Sequence, residues 1–437
     1  MATKTDNVQF EVTPGAALKG AAEVPGDKSI SHRSVMFGAL ANGETWVRGW
    51  LPAGDTEATL SAVQTLGVPI VRKDKHTLKI TGGQMSAPPR PLNFVNAGTG
   101  IRLMAGIMAG QPFPSVLDGS DQLRRRPMKR VTTPLALMGA DITADNGRAP
   151  LEIQPAALKG IEYDMPVASA QVKSCVLLAG LFADGVTTVI QPGPARDHTE
   201  NMLMAMGADI VTEGKRVSLT PGRALQPLDL TVPGDFSSAA FLLVAACLVP
   251  DSDLTIQHVN LNATRTGLLD VLLAMGADIT VTATGNEAGE PVGDIHVKHS
   301  ALKGADVGGE TVVRMIDEFP VMMVAALHAE GRTTVRDARE LRVKETDRLA
   351  VMTAELTKLG AVITETEDGF IIEGPQALTG ATVDGHDDHR IAMSMTVAGL
   401  VASGQTRVDD AKCAGDSFPG FAQTLQALGA NLNSKAV

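Results

Sequence analysis

Aromatic residues are scarce in this chain: two Trp, one Tyr and eleven Phe make up 3% of 437 residues. Its interior must therefore be filled with Ala, Val, Leu, Ile and Met. Cysteine is nearly absent too. Cys175, Cys247 and Cys413 lie far apart without metal-ligand spacing, which excludes a disulfide framework and leaves small core residues in a reducing compartment. Positive charge is in deficit, with a net −11, which argues against general binding to nucleic acid or a membrane surface. The longest strongly apolar run, Ala239 to Val249, is too short to span a bilayer, and Met1 to Asp6 contain no apolar signal run. These absences predict a soluble, cytoplasmic protein, and a monomer is expected. What is present is 44% apolar residues, enough for two large domains.

A repeat organises the chain. The phrase Leu66-Gly67-Val68 returns as Met138-Gly139-Ala140, Met206-Gly207-Ala208, Met275-Gly276-Ala277, Leu359-Gly360-Ala361 and Leu428-Gly429-Ala430. Successive glycines are 72, 68, 69, 84 and 69 residues apart, the long interval holding the polar insert Thr284 to Gly289. Each phrase predicts the end of an amphipathic helix, with Gly as its left-handed stop and a strand beyond. A second phrase, at Gly43, Gly185, Gly331 and Gly404, leads into β-branched strands. Each unit reads helix, strand, helix, strand, strand, and one such unit cannot bury its own sheet face.

Val24-Pro25-Gly26-Asp27-Lys28-Ser29 is echoed by Val232-Pro233-Gly234-Asp235-Phe236-Ser237, an offset of 208 residues that matches three units. Two pseudo-equivalent lobes follow. Residues 24–231 form the first, and residues 1–23 with 232–437 the second, with hinges near 25–26 and 233–234. Two hinged lobes predict a cleft that closes on a ligand.

Only the first copy of the echoed phrase keeps its basic residues. Lys28, Ser29 and Arg33 open an apolar helical run, where free N–H groups already favour an anion. A capped helix with solvated cations is the plainer reading. Similar junctions recur: Gly98 and Gly100 in a glycine-hydroxyl turn, Arg126 braced by Pro127, and Ser169-Ala170-Gln171 before another apolar run. Arg196 lies in a stretch that matches no metal motif, so a helix cap is expected there. Asp317 sits between apolar residues before a helix opened by Pro320, as a cap or as a base. Helical spacing puts Lys344 and Arg348 on one face, with Glu345 beside Arg348. Arg390 follows Asp387-Asp388-His389. These cations predict small polyanionic ligands carrying phosphate and carboxylate. No Walker lysine loop and no dinucleotide fingerprint is present.

Taken together, Pro25 to Ser29 with Arg33, Asn96-Ala97-Gly98-Thr99, Arg126-Pro127-Met128, Ser169-Ala170-Gln171, Arg342 to Arg348 and Asp388-His389-Arg390 resemble the EPSP synthase family. The resemblance covers nearly the whole chain, in the family's order. It implies an α/β fold built as a two-lobed inside-out barrel of six βαβαββ units, three per lobe. It also implies transfer of the enolpyruvyl group of phosphoenolpyruvate to shikimate 3-phosphate, without metal or organic cofactor. Shikimate 3-phosphate would then meet Lys28, Ser29, Arg33, Ser169, Ala170, Gln171, Arg196, Asp317 and Lys344. Phosphoenolpyruvate would meet Lys28, Gly98, Arg126, Gln171, Arg348 and Arg390. Asp317, Glu345 and Lys28 are the candidate acids and bases. The inhibitor glyphosate would take the phosphoenolpyruvate place, with Gly98 leaving room for it.

Two departures stand out. Asp416 occupies the place of a lysine found in many relatives, and Ala170 that of a second serine. The nearest rival is the related UDP-N-acetylglucosamine enolpyruvyl transferase, which uses a Cys in the loop matching 112–128, where this chain has none. A non-catalytic polyanion sensor is more distant, since it would not need Asp317 and Glu345 beside the cations.

Overall fold

All six recurring glycines stand in left-handed backbone, from φ 83° at Gly67 and Gly207 to φ 108° at Gly429. A side chain would strain that conformation, which is why glycine closes each helix. The helices they close are Gly54–Thr65, Lys129–Leu137, His198–Ala205, Gly267–Ala274, Arg348–Lys358 and Phe421–Ala427. The glycines of the second phrase, Gly43, Gly185, Gly331 and Gly404, are left-handed as well.

The computed structural model describes residues 7–437, so Met1 to Asp6, with their expected place in the second lobe, lie outside the described residues. The chain divides into two compact units. One comprises Gly26–Pro233 with Asn286–Glu290; the other comprises the described residues 7–25, Gly234–Gly285 and Pro291–Val437. They are called the first and second unit below. The repeat spacing placed the insert Thr284 to Gly289 wholly with the second half. Instead, it forms the end of a long hairpin, Asp278–Glu287 and Glu290–Lys298, whose residues 286–290 cluster with the first unit.

Among the described residues there are six four-stranded sheets, and the mixed α/β class agrees with the expectation. In the sheet of Leu92–Asn93, Ser115–Asp118, Arg148–Gln154 and Asp141–Asp145, the first two strands are parallel, with Leu92 opposite Leu117. The other two pair antiparallel. This pattern recurs in every sheet, but three of them complete it with a strand from far along the chain. Asp229–Thr231 pairs with Glu44–Arg48, Lys19–Glu23 with Asp253–Asn260, and Val8–Thr13 fits between Thr406–Asp409 and Asn431–Ala436. The repeat is thus closed by strand exchange inside each unit, which a count of local phrases does not reveal.

Each unit has three helices at its centre. In the first they are Lys28–Leu40, Gly98–Ala109 and Ala170–Gly180; in the second, Phe236–Leu248, Phe319–His328 and His389–Val401. All six are buried nearly all round, and every residue of Phe236–Leu248 is buried. A helix buried on every face needs small residues where backbones meet. A Cβ at Gly106 would strike the Cys175 carbonyl of the neighbouring helix. The lack of aromatics is the compositional trace of this close packing. All three cysteines are buried and free, and burial pushes the Cys247 thiol up to about 12. Among the described residues no helix is long and apolar enough to cross a membrane.

Candidate functional site

In the first unit, the starts of the three central helices meet. Asp27 caps the first, its Oδ1 accepting from Ile30 N at 2.9 Å. That cap turns Lys28 and Ser29 into the first turn, both half-buried. Lys28 Nζ lies 2.5 Å from Asp55 Oδ2, at the head of the helix Gly54–Thr65. Arg33, one turn further in, is 2% exposed. Its Nε donates to Thr199 Oγ1 at 2.8 Å, Nη1 to the Ser29 carbonyl at 2.9 Å and Nη2 to Ser174 Oγ at 2.9 Å. Burial lowers its pKa to about 10, with Glu200, Asp27 and Glu290 holding the charge in place.

The second helix begins at Gly98, against which the Arg126 guanidinium is laid. A Cβ on Gly98 would come within 2.6 Å of Arg126 Nη1. Gln171 opens the third helix behind its cap Ser169, whose hydroxyl accepts from Val172 N at 3.5 Å; Ala170 is the first helical residue. The Gln171 amide is fixed at both ends. Its Oε1 accepts from Arg102 Nη1 at 2.6 Å and its Nε2 donates to Thr99 Oγ1 at 2.9 Å. Arg102 also donates to the Pro127 carbonyl at 3.1 Å, tying the loop that carries Arg126 to Gln171. Arg196 is half-buried, and the stretch after it is not a side-chain cap: Asp197 makes no cap bond to the helix His198–Ala205. Beneath it, Lys173 Nζ pairs with Glu200 Oε1 at 2.5 Å, and burial raises the Glu200 pKa in spite of that pair.

In the second unit, Asp317 precedes the helix Phe319–His328, whose N-cap is Glu318; the Glu318 side chain makes no cap bond and accepts from Ser237 Oγ instead. Three cations surround the Asp317 carboxylate. Arg348 Nη1 stands 3.4 Å from Oδ1, Lys344 Nζ 3.9 Å from Oδ1, and Arg390 Nη2 3.8 Å from Oδ2. Arg348, 2% exposed, is itself held by three carboxylates. Beyond Asp317, its Nη2 reaches Glu345 Oε2 at 2.7 Å and its Nε reaches Asp388 Oδ2 at 2.9 Å. Burial works against its charge, yet Asp388, Glu345 and Asp317 raise its pKa. Asp388 also caps the helix that carries Arg390, accepting from Arg390 N at 3.0 Å. Burial lowers the pKa of Lys344, which Asp317 and Glu340 only partly offset.

One expectation is corrected here. Lys344 and Arg348 do not share a helix face. A short 3₁₀ turn, Arg339–Val343, ends before Lys344, and the α-helix starts at Arg348 behind the cap Asp347. Lys344 reaches Asp317 from a loop, and only the Glu345–Arg348 pair is a local one.

A model of the family EPSP synthase (3-phosphoshikimate 1-carboxyvinyltransferase) matches residues 12–425. The chain belongs to the EPSP synthase family. The 3-phosphoshikimate 1-carboxyvinyltransferase of Geobacter sulfurreducens is 53% identical, over 96% of this chain and 99% of its own. That of Geotalea daltonii is 51% identical over 95% and 98%. A crystal structure of EPSP synthase from Acinetobacter baumannii superposes with a TM-score of 0.89 at 44% identity, covering 98% of this chain and all of that one.

The two units thus carry two sets of candidates. Lys28, Ser29, Arg33, Gly98, Arg126, Ser169, Ala170, Gln171 and Arg196 belong to the first; Asp317, Lys344, Glu345, Arg348 and Arg390 to the second. Arg102, Thr199, Ser174, Asp55 and Asp388 join these sets through their side-chain partners, without a motif that marks their part in them. Arg102 had a signal, an arginine inside an otherwise apolar helix. Thr199 and Ser174 had none, since their partner Arg33 is 166 and 141 residues away. Among the described residues no group of three or more His, Cys, Asp or Glu is arranged to hold a metal ion.

His32, between Lys28 and Arg33, gives this region a pH signature. It is fully buried, its Nδ1 is 2.8 Å from Thr59 Oγ1, and burial lowers its pKa from 6.5 to about 3. The folded state therefore binds fewer protons than the unfolded chain. Stability should fall as pH drops below 6.5 and continue to fall until about 3. The contribution lost by pH 5 is on the order of 2 kcal/mol. Urea unfolding of wild type and His32→Gln at pH 7 and pH 5 checks this. The variant should lose less stability on acidification, and equal losses would refute the assignment.

Proposed function

We infer that the chain transfers the enolpyruvyl group of phosphoenolpyruvate to the 5-hydroxyl of shikimate 3-phosphate, releasing phosphate. The observation that carries this is the family match across 12–425, which spans both units and hence both cationic sets. Two polyanions brought to reacting distance repel each other, so their site needs fixed cations of the kind that gather at these helix starts.

Lys28, Ser29, Arg33, Ser169, Ala170, Gln171, Arg196, Asp317 and Lys344 are assigned to shikimate 3-phosphate. Lys28, Gly98, Arg126, Gln171, Arg348 and Arg390 are assigned to phosphoenolpyruvate. Membership of the branch of the family that carries Ser169-Ala170-Gln171 is part of the proposal, and this motif is what supports it. Asp55 beside Lys28 and Arg102 behind Gln171 support the assignment, because they fix side chains that would otherwise be mobile. In the reaction, the 5-hydroxyl oxygen bonds to C2 of the enol while C3 takes up a proton. Phosphate then leaves C2 as C3 gives a proton back, restoring the double bond. Asp317 is the base for the hydroxyl, and Glu345 and Lys28 are the further acid–base groups. A cytoplasmic monomer, working without metal or organic cofactor, completes the proposal.

UDP-N-acetylglucosamine is disfavoured as acceptor by the absence of Cys from 112–128. Phosphate release with both substrates, with each alone, and with UDP-N-acetylglucosamine in place of shikimate 3-phosphate tests the reading. Release only when phosphoenolpyruvate and shikimate 3-phosphate are both present is expected. Release from phosphoenolpyruvate alone at the same rate, or with the sugar nucleotide, would overturn it.

A further inference from the structure

The helix Arg348–Lys358 grips the segment before Arg390 at two points. The first is Arg348 on Asp388, with Nε at 2.9 Å from Oδ2 and Nη2 at 3.2 Å from Oδ1. The second is Glu355, seven residues on and so on the same face, about 10 Å along the axis. Glu355 is 2% exposed. Its Oε2 accepts from the backbone N–H of Asp384 at 2.9 Å, and its Oε1 is 2.8 Å from His386 Nε2. Lys358 Nζ, 2.8 Å from both oxygens, balances the charge. Burial would raise the Glu355 pKa, but His386, Lys358 and the Asp384 N–H together lower it, so a carboxylate holds these bonds.

The gripped segment is a strained corner. His386 and Asp387 are consecutive non-glycine residues at φ 54° and 52°, a conformation that persists only where its surroundings impose it. His386 N donates to Asp384 Oδ1 at 2.7 Å, Asp387 N to Asp410 Oδ2 at 2.5 Å, and Asp388 N to the Gly385 carbonyl at 3.0 Å. The next residue is Asp388, which is fully buried, orients Arg348 and caps the helix that presents Arg390.

We propose that Glu355, acting with His386, is a positioning residue for enolpyruvyl transfer: it holds the 384–388 corner so that Asp388 aims Arg348 and starts the helix bearing Arg390. A carboxylate needed only for packing has no reason to bond the backbone of a strained corner four residues before the capping Asp. The inference rests on the assignment of Arg348 and Arg390 to phosphoenolpyruvate.

The test uses three variants of the full chain. Glu355→Ala removes both bonds. Glu355→Gln keeps an oxygen to accept from Asp384 N–H. His386→Gly deletes the imidazole while adopting positive φ without strain. Glu355→Ala is expected to raise KM for phosphoenolpyruvate by about 10- to 100-fold, the range for a displaced positioning group. The Kd for shikimate 3-phosphate alone should stay within about twofold of wild type. Glu355→Gln should recover most of the loss, and His386→Gly should fall between the two. Should Glu355→Ala fail to fold, the other two variants still give the same ordering against wild type. A lowered melting temperature with unchanged KM for phosphoenolpyruvate would overturn the proposal. So would an equal loss for both substrates, or a His386→Gly variant with wild-type kinetics. Wild-type phosphate release in the same assay separates these failures from a failure of the functional reading itself.

Discussion

Asp317→Ala is expected to cut turnover by about 10²- to 10⁴-fold, the span usual for an acid–base group, while binding of the anionic substrates survives. The expectation follows from what surrounds the carboxylate. Lys344, Arg348 and Arg390 all lie within 3.9 Å of its oxygens, so they remain as a cationic set when it is removed. Their attraction for phosphate and carboxylate should persist or increase, because a competing anion is gone. What is lost is the group proposed to accept a proton from the 5-hydroxyl. Asp317→Asn sharpens the point by keeping the shape of the side chain but not its basicity. Steady-state turnover and calorimetric binding of shikimate 3-phosphate, measured on folded protein, separate the two roles. Wild-type turnover in either variant would remove Asp317 from the mechanism. Equal losses in binding and turnover would make it a binding group only.

Gly98→Ala should weaken inhibition by glyphosate, with an overpacking penalty of about 1–3 kcal/mol, equivalent to roughly 5- to 150-fold in the inhibition constant. The structure gives this expectation a specific cause. An alanine methyl would meet Arg126 Nη1 at 2.6 Å and Cζ at 2.9 Å, closer than real Cβ atoms come to any neighbour. The backbone of a buried helix start cannot retreat, so the longer, flexible Arg126 side chain must move. The methyl therefore does two things: it takes up room beside the helix start, and it displaces a cation assigned to phosphoenolpyruvate. Inhibition competitive with phosphoenolpyruvate is expected for wild type. In the variant, the inhibition constant should rise more than KM for phosphoenolpyruvate, and KM should rise as well if Arg126 serves both ligands as proposed. Inhibition curves at several phosphoenolpyruvate concentrations decide it. Equal inhibition constants in the two proteins would show that Gly98 does not limit the space there.

The sequence by itself determined the features that are local in the chain. A glycine that must take positive φ to end a helix declares itself in six phrases, and the six helices ending there follow from it. Largely apolar runs mark the central helices, although Lys28–Leu40 also buries Ser31, His32, Arg33 and Ser34, and the residues that open them, from Lys28 to Arg390, are legible as motifs. The scarcity of aromatics was legible as a core of small side chains, of which the approach of Gly106 to Cys175 is the physical form. Tertiary structure alone decided which of these residues face each other. Arg33 looks like a free cation in the chain but is buried on Ser174 and Thr199. Lys344 and Arg348 look like one helix face, but a loop intervenes, and they meet only around Asp317. Residues 286–290 leave the half to which their position in the chain assigns them, and Val8–Thr13 completes a sheet begun nearly 400 residues later. The reason is common to all four. Backbone geometry and helix propensity act within a few residues, whereas the burial of a charge or a sheet edge is satisfied by whatever partner the packed chain supplies, at any separation.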